Sequence, residues 1–479
     1  MKTPILGSTY VARSVNAADA RMVNLFPEIV PEGGKEPAFL NRAPGLQLLN
    51  SIGTGPIRGL WAFSPQDGTG FVVSGTQLYK INNSYTPTLI GTVAGTGPVS
   101  LADNGTQLFI AANGPSYIYN NTTNAFGQIT DPDFPGAVTV SYLDGYFVFN
   151  EPNSQKLWIT ALLDGTSIDP LEFASTEGSP DGLVAVISNF REVWAFGTNS
   201  IEVWSDTGAT DFPLQRIPGA FNELGCAAPY SIAKMDNGLF WLGRDRRGQG
   251  IVYRANGYAG QRISTHAVEW QIQQYSDLSD AVAYTYQQDG HSFYVLIFPT
   301  ANTTWVYDVA TQAWHERAGW NNGEFTRHRS NCQMAFNNKI VVGDYENGNI
   351  YAFDLDDYSD NGQIQKWLRS WRALPTGQNN LKRTAQHSLQ LDIEAGTGLN
   401  LGQGSDPEVM LRWSDDGGHT WSNEHWAQIG KIGEYYRRVF WRRMGMTLKL
   451  RDRVYELSGT DPVKISIMGA ELILSPTNA

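Results

Sequence analysis

An apolar strand, a short polar or glycine-bearing turn and a second strand ending in aromatics recur along most of the chain. The unit appears as Phe71-Val-Val-Ser-Gly-Thr-Gln-Leu-Tyr79, again over residues 108–119, and over 146–158 around a turn at 153–155. Its cleanest copy is Glu192-Val-Trp-Ala-Phe-Gly-Thr-Asn-Ser-Ile-Glu-Val-Trp204, and further copies occupy 239–253, 293–307 and 340–351. The starts at 71, 108, 146, 192, 239, 293 and 340 are 37 to 54 residues apart. Blades of a β-propeller take ~40–50 residues each. Inner strands of a blade are hydrophobic throughout and outer strands alternate, which matches residues 184–194 beside 201–204. Seven units predict a propeller of about seven blades. One copy is kelch-like: Thr304-Trp-Val-Tyr-Asp308 followed by Trp314, with the aspartate capping a turn and the tryptophan packing between blades.

Elsewhere the pattern changes. Val268, Trp270 and Ile272 follow helical spacing, predicting one short helix within residues 265–274. Residues 356–362, Asp-Asp-Tyr-Ser-Asp-Asn-Gly, read as a polar linker. Beyond it, strands are expected around 387–393, 409–413, 439–450 and 463–474. The predicted organisation is an N-terminal extended arm with the first strands (1–50), a propeller (51–362) and a C-terminal β-sandwich serving interaction (363–479). The fold class is all-β.

Composition supports this and adds a hint of assembly. Fifteen Trp, 21 Tyr, 21 Phe and 49 Gly favour short strands and tight turns. Only 17% of residues are charged against 41% hydrophobic, which suits a surface hidden against partners. The net charge of −12 is uneven: residues 1–363 carry 20 basic against 35 acidic side chains, and residues 364–479 carry 15 against 12. The first part is poorly suited to gripping phosphates. An acidic wall along which DNA slides and an ordinary solvated acidic surface both fit. Two cysteines, Cys226 and Cys332, exclude a disulfide scaffold and fit a reducing compartment. The opening residues hold no apolar run of signal-peptide length, and no stretch nears the ~18 apolar residues of a membrane span.

Chemistry-bearing motifs are few. Ser414-Asp-Asp416-Gly-Gly418-His-Thr420-Trp421 matches the Asp-box pattern of sialidase propellers and other β proteins. Its expected role is architectural: the Asp416 carboxylate satisfies turn N–H groups, Gly418 supplies a positive φ, and Trp421 packs beneath. A sialidase would also need converging arginines with a tyrosine and an acid partner, and no such set stands out. The seven histidines form no His-x-x-x-His pair, and nucleotide-binding and Gly-x-Ser-x-Gly patterns are missing. Asp356-Asp357 is read as solvated, with calcium as the lesser alternative. No catalytic residue, cofactor or metal is predicted.

The remaining motif interleaves aromatics and arginines: Tyr435-Tyr-Arg437-Arg438-Val-Phe-Trp441-Arg442-Arg443. As a strand it places Arg437, Val439, Trp441 and Arg443 on one face and Arg438, Phe440 and Arg442 on the other. Such mixed faces suit a strand flanked by neighbours more than a free edge. A protein interface through Tyr435, Arg437, Arg438, Trp441, Arg442 and Arg443 is the favoured reading. Arginines lying along an ordinary sheet and contact with DNA are the alternatives.

Several of these segments resemble one family. The opening Asn16-Ala-Ala-Asp19-Ala-Arg21-Met-Val-Asn24-Leu-Phe-Pro27-Glu28 with Pro44-Gly45-Leu46 is similar to the start of tail accessory factors of short-tailed bacteriophages, also called packaged DNA stabilisation, tail hub or nozzle proteins. Gly75–Lys80 and Val93–Ser100 resemble the family's early blades. Ser179-Pro-Asp-Gly182 leading through Ser200-Ile201-Glu202 to Thr207-Gly-Ala-Thr210 is the most diagnostic stretch, and residues 438–445 match the closing pattern. Loops around 205–265 and 310–335 depart from it, which bears on partner choice.

The resemblance implies a structural virion protein and not an enzyme: a homo-hexamer below the portal and its adaptor ring. Such a ring helps retain packaged DNA and conducts it at ejection without sequence-specific binding. The resemblance also implies contacts with a tail needle or plug and with tail fibres or tailspikes, assembly in the host bacterial cytoplasm, and no membrane insertion by this chain. The alternative is a carbohydrate-active or carbohydrate-binding propeller of sialidase type.

Overall fold

The computed structural model describes residues 1–14, 17–64, 68–209, 212–244, 247–378, 382–448 and 452–477. Asn16 and Thr210 of the family-like segments, and residues 449–450 of the expected strand 439–450, lie outside the described residues.

Seven antiparallel blades follow in chain order, the first six at residues 57–92, 100–128, 140–175, 183–222, 225–262 and 282–316. The seventh uses Ser330–Phe336, Lys339–Asp344 and Asn349–Asp354, and takes its outermost strand from Gly45–Ser51, near the other end of the sequence. That strand falls in the segment expected as an arm, and pairing Leu46 with Phe353 closes the ring. The second strand of each blade is buried on both faces, as in Gly70–Ser74 and Glu192–Gly197, because blades pack face to face. Each neighbouring pair of blades therefore shares an apolar core. Phe109, Phe147 and Phe149 fill the one between blades two and three, and Phe196, Val203 and Trp241 the one between four and five. Ile57, Val72, Phe336 and Val341 join blade seven to blade one.

The kelch-like copy behaves as its spacing predicts. Asp308 accepts from Ala310 N (3.0 Å) and Thr311 Oγ1 (2.6 Å). Trp314 pairs with Tyr307 across the strands and donates its indole N–H to Ile263 O (2.9 Å), just past the last strand of blade five. The helix is His266–Ile272, capped by Thr265.

The sandwich is welded to the propeller. Met22–Val23 lies parallel to Ala313–Glu316 of blade six and antiparallel to Trp367–Arg372, so the blade continues into one sandwich sheet of Trp367–Arg372, Val454–Gly459, Glu408–Ser414 and His425–Gln428. The facing sheet orders Leu25–Ile29, Ala38–Arg42, Ser466–Pro476, Thr384–Ile393 and Val439–Arg442. Between them lies a single core holding Trp367, Trp371, Leu389, Leu411, Trp441 and Tyr455 together with Met22, Leu25 and Leu40. Residues 356–362, read as a linker, hold Ser359–Asp360, which pairs with Gln363–Ile364 and with Leu46.

Candidate interaction surface

The Asp box is a self-contained turn. Glu408–Ser414 is a central strand of its sheet and delivers Ser414 to the sheet end. The Asp416 carboxylate accepts from His419 N (3.0 Å), Thr420 N (2.8 Å) and Thr420 Oγ1 (2.6 Å), and from Ser414 Oγ (2.7 Å). Gly417 and Gly418 turn at φ 76° and 96°. Hydrogen bonds from Thr420, first its hydroxyl and then its N–H, hold the Asp416 carboxyl well below the usual carboxylate range. Both carboxylate oxygens of Asp416 thus accept hydrogen bonds from within its own turn. The neighbouring Asp415 pairs bidentately with buried Arg453 (2.7 and 2.8 Å), fastening the turn to the sandwich. Trp421 lies half-buried, with the Arg412 guanidinium over its ring at 4.8 Å.

The aromatic–arginine segment is differently placed from its expected position. Val439–Arg442 is an edge strand, paired on one side only with Thr384–Ile393. Its alternation is clean: Val439 and Trp441 enter the core, while Phe440 and Arg442 face outwards. The expectation of a strand flanked on both sides is corrected here. An edge needs side chains that discourage further pairing, and outward arginines supply them. Arg443 leaves the strand at φ 58° and ends the alternation.

Trp441 is thereby a core residue, its indole donating to His425 O (2.8 Å), and not a surface contact. The exposed members of the segment converge instead. Tyr435 and Tyr436 are 76% and 87% exposed. Arg437 donates to Gln428 Oε1 (2.6 Å) and Arg438 to Gln390 Oε1 (2.7 Å), so both guanidiniums are steadied by neutral partners and keep their charge free for others. Arg442 stacks on Phe440 at 4.4 Å. Trp426, exposed on the edge strand His425–Gln428 of the facing sheet, completes an open groove with Tyr436, Arg437, Arg438 and Phe440. Sequence reasoning missed Trp426, because an alternating pattern does not tell which strands end up side by side at a sandwich edge.

The inner strands of all seven blades surround an axial channel of about 500 Å³, lined by Ser141, Ser188, Lys234 and Asn331 among others. That volume is of the size of a small-molecule cavity and not of a path for a duplex. Among the described residues no cluster of His, Cys, Asp or Glu could hold a metal ion, and no helix is long and apolar enough to cross a membrane.

Both halves of this architecture match one family. Residues 1–358 match the bacteriophage P22 Gp10 β-propeller, and residues 367–474 match the bacteriophage P22 Gp10 β-sandwich. The tail hub protein gp10 of Salmonella phage P22 is 23% identical over 445 residues, covering 89% of this chain and 90% of that protein. Among solved structures, virginiamycin B lyase from Staphylococcus aureus is 13% identical with a TM-score of 0.44, covering 64% of this chain and 98% of its own. The Neurospora crassa Pan2 WD40 domain is 8% identical with a TM-score of 0.41, covering 62% and 89%. Matched by the family along both of its parts, the chain belongs to the bacteriophage P22 Gp10 family, and it is a structural tail hub protein of a phage and not an enzyme.

Proposed function

We propose that the chain assembles into a closed cyclic ring, of six copies as the family resemblance implies, beneath the portal and adaptor of a short-tailed phage. The ring retains packaged DNA and conducts it at ejection, anchors the needle and the fibres or spikes, and assembles in the host cytoplasm. The observation that carries this reading is the corner where Trp426, Tyr435, Tyr436 and Phe440 stand exposed among Arg437, Arg438 and Arg442. Aromatics and arginine are the residues enriched where protein interfaces concentrate their energy, and planar guanidiniums pair bidentately with carboxylates. The DNA conduit is formed between subunits, because the space on the propeller axis is only about 500 Å³, the size of a small-molecule cavity. The acidic body, 20 basic against 35 acidic side chains over residues 1–363, lets phosphates pass without holding them.

Mass photometry of the protein mixed with its adaptor ring tests the assembly, with six copies per ring expected. A persistent monomer in that mixture would overturn the reading. Replacing Arg442→Ala together with Arg443→Ala should impair docking while duplex affinity stays weak. Normal assembly combined with lost, salt-sensitive DNA binding, its salt slope falling by about one per arginine removed, would make the segment a DNA contact instead.

A further inference from the structure

Among the described residues, five blades join their first two strands through two-residue hairpins, at 144–145, 190–191, 236–237, 289–290 and 337–338. All ten positions have positive φ. Such turns favour Asn, Asp and Gly, which tolerate the left-handed region. Four of the five comply, with Asp144-Gly145, Asp236-Asn237, Asp289-Gly290 and Asn337-Asn338. Blade four alone places Phe190 (φ 50°) and Arg191 (φ 62°) there. A bulky side chain in that region is a real outlier, and Phe190 gains no burial in return, being 65% exposed.

The adjacent tip shows the same departure. Leu163 of blade three sits at φ 60° and is 60% exposed, with Leu162 equally open beside it. Arg191 Nη2 meets Asp144 Oδ2 at 2.8 Å, and Leu163 N donates to Gly145 O at 2.8 Å, so the two tips are tied into one surface. Its charge is acidic on balance: Asp144 and Asp206 act on Arg191, and Asp164 borders Leu163.

We propose that this leucine–phenylalanine surface on blades three and four docks the aromatic–arginine corner of a second copy of the chain. The inference rests on the ring reading and names the two faces that meet in it. Charge and chemistry are complementary: exposed apolar side chains with carboxylates on one side, aromatics with Arg437, Arg438 and Arg442 on the other. Position is equally suited. A ring needs a head-to-tail contact between two different surfaces of each subunit. The sandwich joins the propeller at blades six and seven, and in a ring of seven, blades three and four lie across the axis from blade seven.

The test exploits the unfavourable turn. Phe190→Asn with Arg191→Gly restores the residues this hairpin prefers, so the subunit should melt at the same temperature or higher. Its association into rings on the adaptor should weaken roughly thirtyfold or more. In parallel, mixing a Phe190→Cys copy with a Tyr436→Cys copy should give an oxidised heterodimer within assembled rings, while neither copy alone does so. Undiminished assembly of the first variant, or assembled rings without the heterodimer, overturns the pairing of these faces and leaves the ring standing. Wild-type protein that stays monomeric with the adaptor overturns both.

Discussion

Apart from the closure of blade seven on blade one, the propeller cores are built mainly from blades adjacent in the sequence, whereas the sandwich core joins strands nearly the whole chain apart. Phe71, Leu78, Leu108 and Tyr119 share a core within about one blade repeat of each other. Leu25 and Leu40 instead pack with Leu411 and Leu472. Of the seven histidines, the three buried ones, His291, His315 and His328, lie in blades six and seven or beside them, while His387, His419 and His425 of the sandwich, and His266 on the propeller side, are exposed. Local repetition gives the propeller many small, redundant cores. The sandwich depends on a few long-range attachments, and those attachments are also what hold it to the propeller.

The sharpest way to break that difference is at Arg42. Its buried guanidinium donates to Gln365 Oε1 (3.3 Å) and Gln365 O (2.6 Å), to Tyr358 O (3.0 Å), to Val463 O (3.0 Å) and to Asp461 O. One side chain thus ties an N-terminal strand, the 356–365 segment and the sandwich together. Burial pushes its pKa down to about 10, so it remains charged at neutral pH. Arg42→Met leaves those oxygens unpaired, each costing about 1–3 kcal/mol where it stays buried without a partner. Denaturant unfolding followed by tryptophan fluorescence should then show the sandwich melting before the propeller. A single, unshifted transition would mean that the weld is carried elsewhere.

Acid should act on the propeller side of the comparison. Burial, and then the nearby Arg317 and Arg329, lower the His328 pKa to about 3. An unfolded histidine takes a proton near ~6.5. Between those values the unfolded chain binds a proton that folded His328 refuses, so stability falls as pH falls, by roughly 1 kcal/mol per pH unit. His315, lowered mainly by burial, adds in the same direction. His291 is raised by its hydrogen bond to Asp308, so its contribution is fully present below the unfolded value and is lost only as pH rises through the folded one. Melting temperatures from pH 7 to 4.5 should therefore fall less steeply in His328→Gln than in wild type. Equal slopes would move the acid sensitivity away from His328.

This division also explains what could be read from residues alone. Repeat starts at Phe71, Leu108 and Tyr146 fall in or at the second strands of their blades, because a blade's pairing partners are its sequence neighbours. The helix at His266–Ile272 and the alternation of Val439–Arg442 were legible for the same reason. Closure by Gly45–Ser51, the sandwich strands Leu25–Ile29 and Ala38–Arg42, and the edge position of Val439–Arg442 were not. A strand's pattern states which faces are buried and leaves open what lies beside it. Trp441 illustrates the limit: its segment looked like an interface, and the residue itself belongs to the core.

The smallest expected effect concerns the Asp box, where the sandwich is organised as locally as a blade. Asp416 bonds only within residues 414–420, so Asp416→Ala should loosen that turn without reaching the weld or the exposed corner. Because its folded pKa is depressed, the carboxylate contributes stability above the unfolded carboxylate pKa and loses it as pH falls through the lower folded value. The wild-type advantage over Asp416→Ala should accordingly be present at pH 7 and shrink towards pH 2, in a window below that of the histidines. Hydrogen exchange should localise the change to residues 414–421, with ring assembly unaltered. A loss of assembly in this variant would show that the turn does more than shape itself, and that the corner at Tyr435 and Arg438 depends on it.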